Sequence, residues 1–344
     1  MPETKEKEQK KYHAKRIEKK EMEEITSKIE QKLADFIKQG KYKEVLISMG
    51  NLGKYSLNNQ IYILMQMPEA TTVNGMKRWN VLGRHVIPGS KSLKIFSPIL
   101  RPREVELKDG NGNPILDIEG KPIKERKQVV VGFEQGYVFD ISQTDGPALD
   151  VFKFDQSKVV ENKETILKGL RGVAERNGYR ISYATKEELG DGCYGLCNHS
   201  THEIKILEGM ADLQGISTTV HECGHMLAHS GYRKDFDGLT PMEKREIKEV
   251  EAESIACIVC TYLGLDTENF NFSYITSWAE GDISKFKRNL DIISSHAKTL
   301  IKGIEKEMGM LKAKEKEEAK DPSIPPEMPM AAIVKTPSAG LEMA

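Results

Sequence analysis

The strongest constraint on this chain is a pair of helices written out between residues 213 and 263. His221-Glu222-Cys223-Gly224-His225 lies inside an apolar pattern of helical period. Leu213, Ile216 and Val220 precede it, Met226 and Leu227 follow it, and Gly231 supplies a natural stop. Residues four apart in a helix share a face, so both imidazoles can reach one ion. Glu222 sits beside them, placed to take a proton from water on that ion. Zinc suits such a set. It accepts nitrogen and carboxylate ligands tetrahedrally, keeps a fourth position for water and lowers the pKa of that water towards ~7. Thr240-Pro241-Met242-Glu243 then opens the second helix, a capping box with proline at the first helical position.

That second helix carries Glu249, Glu251 and Glu253. Glu249 and Glu253 are one turn apart and share a face with Ala252, Ala256 and Cys260, whose small side chains would let the two helices approach closely. Glu251 points roughly the opposite way, with Ile247, Ile255 and Ile258. The site is therefore expected to use either Glu249 with Glu253, or Glu251, but not both. Glu249 is the favoured ligand, with Glu253 hydrogen-bonding a liganding histidine from behind. This spacing resembles the E-x-x-x-D of gluzincin metalloproteases. The competing reading is three carboxylates on a solvated helix face.

Other residues are weighed against plainer roles. His229 reads as a helix-end histidine near the C-terminal dipole rather than an outer ligand. Tyr232 and Tyr274 are candidate oxyanion partners. Cys193/Cys197 and Cys257/Cys260 have spacings open to a second zinc, yet the latter pair lies in an apolar stretch where cysteine behaves as a small hydrophobe. His199 and His202 read as loop residues. The short strand Glu203–Leu207 is expected at a sheet edge beside the metal helix, where an extended substrate could pair with it.

The rest of the 344-residue chain divides by composition. Residues 1–24 are mostly Lys, Glu and other polar types and read as disordered or as a solvated helix. Residues 25–148 read as a small α+β domain. Helical patterns begin near Ile25, Tyr42 and Leu57, and β-rich runs follow at 92–97, 128–133 and 137–141. Lys108-Asp109-Gly110-Asn111-Gly112-Asn113-Pro114 marks the tip of a hairpin or an insertion. A connector near 146–155 leads into a second domain, 149–311, and a proline-rich tail, 312–344, is expected to be disordered. Residues 1–150 carry a net charge of +5 and the remainder −6, so the halves should meet different partners. No apolar run approaches the ~20 residues of a membrane span. Five cysteines leave one unpaired in any full disulfide scheme, which favours the cytoplasm.

In the first half, Lys54, Arg78, Lys91 and Lys94 fall near Tyr55 and Trp79. Cations can follow a phosphate backbone while aromatic faces stack on bases. A tryptophan on an amphipathic helix is, however, more often core than platform.

Here a resemblance enters. Tyr55-Ser56-x-Asn58-Asn59, Trp79…Leu82-Gly83-Arg84…Pro88-Gly89-Ser90-Lys91 and Val138-Phe139-Asp140-Ile141-Ser142-Gln143-Thr144-Asp145-Gly146 resemble the N-terminal domain of ArdC-like antirestriction proteins. His221–His225 with Glu249-Val250-Glu251-Ala252-Glu253-Ser254 resembles their C-terminal metallopeptidase domain, similar also to the ImmA/IrrE peptidases. The resemblance implies an α+β protein of two domains from a conjugative mobile element: a module binding single-stranded DNA, and a zincin-like, gluzincin-type module hydrolysing a protein substrate. Its implied metal is zinc, held by His221, His225 and Glu249 with Glu222 catalytic, and Glu253 or Glu251 as outer partner or alternative ligand. Lys54, Tyr55, Asn58, Asn59, Arg78, Trp79, Lys91 and Lys94 are the candidate DNA contacts. Two other functions are carried beside this one: a protection protein that coats single strands around an inert metal domain, and a regulatory protease cutting a DNA-bound repressor.

Overall fold

The computed structural model describes residues 15–107, 113–147, 156–268, 270, 272 and 283–309. The chain begins with three helices, α1 (Lys19–Lys38), α2 (Tyr42–Asn51) and α3 (Leu57–Gln66). Ile29, Leu33 and Ile37 form the buried stripe of α1, and Ser56 caps α3 through the Asn59 N–H. The charged start is less detached than its composition implies. The helix opens at Lys19, and Ile17 is buried while its N–H donates to the Phe133 carbonyl. One aliphatic residue among charges is enough to fasten that segment. Residues 1–14 and 310–344 lie outside the described residues.

After β1 (Val73–Asn74), α4 (Met76–Val81) and β2 (His85–Val86) comes a long antiparallel arm, β3 (Leu93–Glu106) and β4 (Lys124–Asp140). The β-rich runs at 128–133 and 137–141 are thus one strand. The expected hairpin tip falls at residues 108–112, outside the described residues, while Glu106 still pairs with Lys124 on the way to it. β4 lies between β1 and β3, and β5 (Thr144–Asp145) pairs with β2.

The motifs that carry the resemblance make turns and close edges. Asp140 accepts the N–H groups of Thr71, Thr72 and Ser142 and forms a capping box with Gln143. Arg84 donates to the Thr144 hydroxyl and carbonyl, tying β2 to β5. On the outer edge of β3, Asn59 accepts the Phe96 N–H at 2.8 Å and donates to the Phe96 carbonyl at 2.9 Å. Gln66 does the same for Lys94. Two side-chain amides on α3 therefore occupy backbone groups that would otherwise template another strand.

The second half holds α5 (Gln156–Glu161), α6 (Lys163–Arg176), β6 (Arg180–Ala184), α7 (Lys186–Leu189), β7 (Gly195–Asn198), β8 (Glu203–Leu207), α8 (Asp212–His229), α9 (Pro241–Tyr262) and α10 (Ile283–Glu307). Its sheet runs β6-β8-β7, with β6 parallel and β7 antiparallel to β8. Glu203–Leu207 is thus the central strand, a correction to the expected edge. Ile204 and Ile206 bury one of its faces, and a strand on each side satisfies both of its ladders. β7 is the outer strand beside α8. It is hard to read from sequence because Gly-Leu-Cys-Asn has little β-propensity.

The helices of the first half pack directly on α9 and α10. Tyr42 bonds the Ser254 hydroxyl at 2.9 Å and meets Phe272 and Phe286 edge-on. Lys287 pairs with Glu30, and Lys298 donates to the Tyr55 carbonyl. One cluster of buried side chains runs from Leu33, Val45 and Met49 into Ile255, Val259 and Leu290. A smaller one, including Leu52, Ile63, Val73 and Ile95, lies under the first sheet. The ranges 25–148 and 149–311 therefore meet through continuous core. Among the described residues, no helix is long and apolar enough to cross a membrane.

Candidate metal centre

The capping box at Thr240, with Pro241 behind it, fixes where α9 begins and hence which of its turns faces α8. The two helices cross closely at Gly224. A Cβ there would lie 3.3 Å from the Ala252 Cα and carbonyl oxygen. Only small residues on both sides permit that approach, and they sit within the two motifs that carry the acids and imidazoles.

The crossing brings three donors together. His221 Nε2 and His225 Nε2 are 3.1 Å apart, and Glu249 Oε2 lies 3.6 and 3.4 Å from them. Tetrahedral donors about 2.0–2.1 Å from a zinc ion would be separated by about 3.3 Å, so the spacing and the N, N, O chemistry fit that cation. Among the described residues this is the one group of three or more His, Cys, Asp or Glu side chains placed to share a metal. Glu253 Oε2 stands 3.2 Å from His221 Nδ1, behind the ring.

Glu251 is also engaged, which corrects the expectation that only one side of α9 serves the site. Its carboxylate is buried and accepts from Arg233 at both oxygens, with Oε2 also 2.9 Å from His229 Nε2. It is thus no ligand but a partner of the third imidazole. His229 is correspondingly more than a helix-end residue. It is fully buried and its Nδ1 faces His225 Nδ1 at 3.2 Å.

Electrostatics follow from these contacts. Burial pulls the His221 imidazole down, but hydrogen bonds to Glu249 and Glu253 outweigh it and hold it at about 10. The same bonds to His221 and His225 keep Glu249 far below the usual carboxylate range. Burial pushes the Glu222 carboxyl up, against the pull of His221 and His225. Burial pulls His229 down to about 4 despite its bond to Glu251.

Glu222 lies against β7, near the Cys197 N–H, which favours its charged form. A Cβ on Gly195 would come within 2.8 Å of Glu222 Cγ and Oε1, so glycine makes room for the acid. His221, Glu222, His225 and Glu249 line one open cleft of about 1390 Å³. Lys244, Arg245 and Lys248 of α9 form part of its wall, a basic flank that the sequence reading passed over.

The remaining candidates fall elsewhere. Tyr232 is exposed and donates to Asp237 at 2.6 Å, away from the cleft wall, which removes it as an oxyanion partner. Tyr274 lies outside the described residues. All five cysteines are free, with Cys223, Cys257 and Cys260 buried. His199 lines the cleft, its Nδ1 2.8 Å from the Tyr179 hydroxyl, and the His202 ring meets Tyr179 edge-on.

Of the proposed DNA contacts, three are committed to the fold. Trp79 is fully buried and its indole N–H donates to the Phe139 carbonyl, so it has no face for a base. Asn59 is the buried edge cap of β3. The Tyr55 hydroxyl donates to the Val73 carbonyl. Lys54 bonds Asn74 Oδ1, and Asn58 and Arg78 are half-buried. Lys91 and Lys94 are exposed. A neighbour was missed: Tyr137 is directly opposite Lys94 in the ladder and 52% exposed, a cation and an aromatic side by side. Alternation along the strand from buried Val138 was the available signal.

An α+β chain with two imidazoles and a carboxylate converging across crossed helices defines a class, proteins with a candidate divalent-cation site between two helices. Its comparisons are more particular. Residues 14–139 match the family model for the N-terminal domain of anti-restriction factor ArdC. The chain is 27% identical over 319 residues to the uncharacterized protein pXO2-81 of Bacillus anthracis, covering 85% of this chain and 53% of that protein. It thus spans about half the length of that curated relative. The Mn(II)-bound crystal structure of antirestriction ArdC protein from the R388 plasmid is 15% identical, with TM-score 0.47, and covers 81% of this chain and 97% of that one. The metal-free structure is 16% identical, with TM-score 0.41, and covers 73% and 85%.

Proposed function

We propose that this chain is a zinc-dependent peptide hydrolase of gluzincin type joined to a region that binds single-stranded DNA, acting in the cytoplasm as an antirestriction protein of a mobile element. One observation carries the hydrolytic part. His221, His225 and Glu249 converge at donor spacings that fit a single cation, with Glu222 beside them in the same cleft.

When bound, zinc supplies Lewis acidity, which makes a water acidic enough to ionise near neutral pH and polarises a carbonyl. The protein groups do the rest. Glu222, packed beside β7 and with its carboxyl raised by burial, is suited to accept a proton from water and return it to a departing peptide nitrogen. Glu253 orients His221 through Nδ1. The outer strand β7, rather than β8, borders the cleft and is the edge on which an extended peptide would lie.

The test uses the full chain. Zinc should bind stoichiometrically, and Glu222→Gln should retain the metal while losing at least about 100-fold in peptide hydrolysis. Undiminished hydrolysis by that variant, or no stoichiometric metal, refutes the peptidase reading. If Glu222→Gln still protects incoming DNA in full, the protection is independent of cleavage. The DNA part draws on the match of residues 14–139 and on exposed Lys91, Lys94 and Tyr137. Single strands should bind better than duplex, with affinity falling as salt rises. Combined replacement of Lys94 and Tyr137 by Ala should weaken single-strand binding about tenfold or more. Equal affinity in that variant would remove this surface from the account.

A further inference from the structure

Each imidazole at the metal centre turns Nε2 towards the shared point, so its other nitrogen must be held by something else. For His221 the holder is Glu253, at 3.2 Å from Nδ1. For His225 no carboxylate among the described residues is in that place. Its Nδ1 faces another imidazole nitrogen, His229 Nδ1, at 3.2 Å. Two ring nitrogens attract only if one carries the proton and the other a lone pair.

The protons can then be assigned from the outside inwards. Arg233 is always charged and donates to both oxygens of Glu251, which keeps that carboxylate an acceptor. Glu251 Oε2, 2.9 Å from His229 Nε2, must accept a hydrogen bond from an N–H there. His229, carrying its proton on Nε2, offers a lone pair at Nδ1. His225 must answer with a proton on Nδ1, which leaves its Nε2 lone pair facing His221 and Glu249. A doubly protonated His229 would also satisfy the contacts, but it would turn the His225 Nδ1 into an acceptor and put the proton of that ring on Nε2, so only the first arrangement leaves His225 able to hold a cation. The His229 side chain is 0% exposed and that of Glu251 3%, so water is not there to substitute.

We propose that His229 is a positioning residue for the ligand His225, fixing its tautomer and ring angle through a chain that ends on Glu251 and Arg233. The inference rests on the metal-site reading above and deepens it. The two liganding rings are held in unlike ways, one by a carboxylate directly and the other through an inserted imidazole. It also gives Glu251 a role that neither a ligand nor a surface acid would have.

The experiment compares the full chain with His229→Leu and His229→Gln. Leucine fills much of the ring's space but cannot accept a hydrogen bond, and Glu251 keeps its partner Arg233, so no carboxylate is stranded. Glutamine can accept from His225 with its carbonyl and donate to Glu251 with its amide. Zinc affinity, measured by chelator competition, should fall about 10–100-fold in the leucine variant and recover most of that in the glutamine one. Nitrogen-15 NMR of the zinc-loaded wild type, labelled at histidine, should show the proton of His229 on Nε2 and that of His225 on Nδ1. Wild-type affinity in His229→Leu, or equal losses in both variants, would overturn the proposal. A proton on His229 Nδ1 would do so as well, and needs no variant to fold. Failure of the wild type to bind zinc is a separate outcome. It removes the metal site itself, and the positioning role with it.

Discussion

Asn59 separates a residue that makes the fold from one that touches a ligand. Its amide forms two hydrogen bonds to Phe96, at 2.8 and 2.9 Å, and the side chain is 7% exposed. Asn59→Ala leaves one backbone N–H and one carbonyl without partners beside the stacked rings of Tyr62 and Phe96. Each orphaned group costs about 1–3 kcal/mol, and because β3 is an outer strand where some water can enter, the lower part of that range applies. A total of about 2–3 kcal/mol follows. Gln66 makes the equivalent pair of bonds to Lys94, but in an exposed position. Gln66→Ala should therefore cost under about 1 kcal/mol, because solvent takes over. Urea unfolding of both variants in the full chain gives the comparison, followed by single-strand binding under conditions where each is fully folded. If Asn59→Ala unfolds at the wild-type midpoint while losing DNA affinity, the amide is a contact and the edge-cap argument is wrong.

Two further outcomes test the metal centre. Gly224→Val places new atoms against the Ala252 backbone, which already stands 3.3 Å from a Cβ. Overpacking of about 1–3 kcal/mol is most easily relieved by parting α8 from α9, so zinc affinity should drop about tenfold or more. Unchanged affinity by chelator competition would show that helix spacing does not set the site. The second outcome concerns pH. His221 is held at about 10 by Glu249 and Glu253 in the absence of a cation, and it must lose its proton to become a ligand. Zinc uptake by chelator-stripped protein should therefore release a proton. Apparent affinity should fall about tenfold for each unit as pH drops from 9 to 7. A flat affinity across that window contradicts the assignment.

Local rules carried much of this structure. The helix bearing His221 and His225 and the capped start at Thr240 follow from period and capping chemistry, and the structure brings both imidazoles and Glu249 together. Periodicity could not say how α8 and α9 cross. Glu251 was therefore weighed only as a rival to Glu249, though the crossing puts its face against His229 and Arg233. Strand order is equally non-local. β8 looked like an edge because β7 is short and built of Gly195, Leu196, Cys197 and Asn198, and only pairing reveals it. In the first half, polar and aromatic motif residues were read as ligand contacts. Tyr55, Asn59 and Trp79 instead satisfy backbone groups, a demand that composition alone does not display.

The junction of Tyr42 with Ser254, and of Met49 and Val45 with the flank of α9, bears on any attempt to take the protein apart. Cutting near residue 150 would uncover Ile255, Ile258 and Val259 on the back of the very helix whose front carries Glu249. Such a fragment would present a sticky, unsupported flank to water. Any push on α2, from whatever binds the first half, would be passed straight to the acid-bearing helix, because Tyr42, Val45 and Met49 share one packed cluster with its side chains.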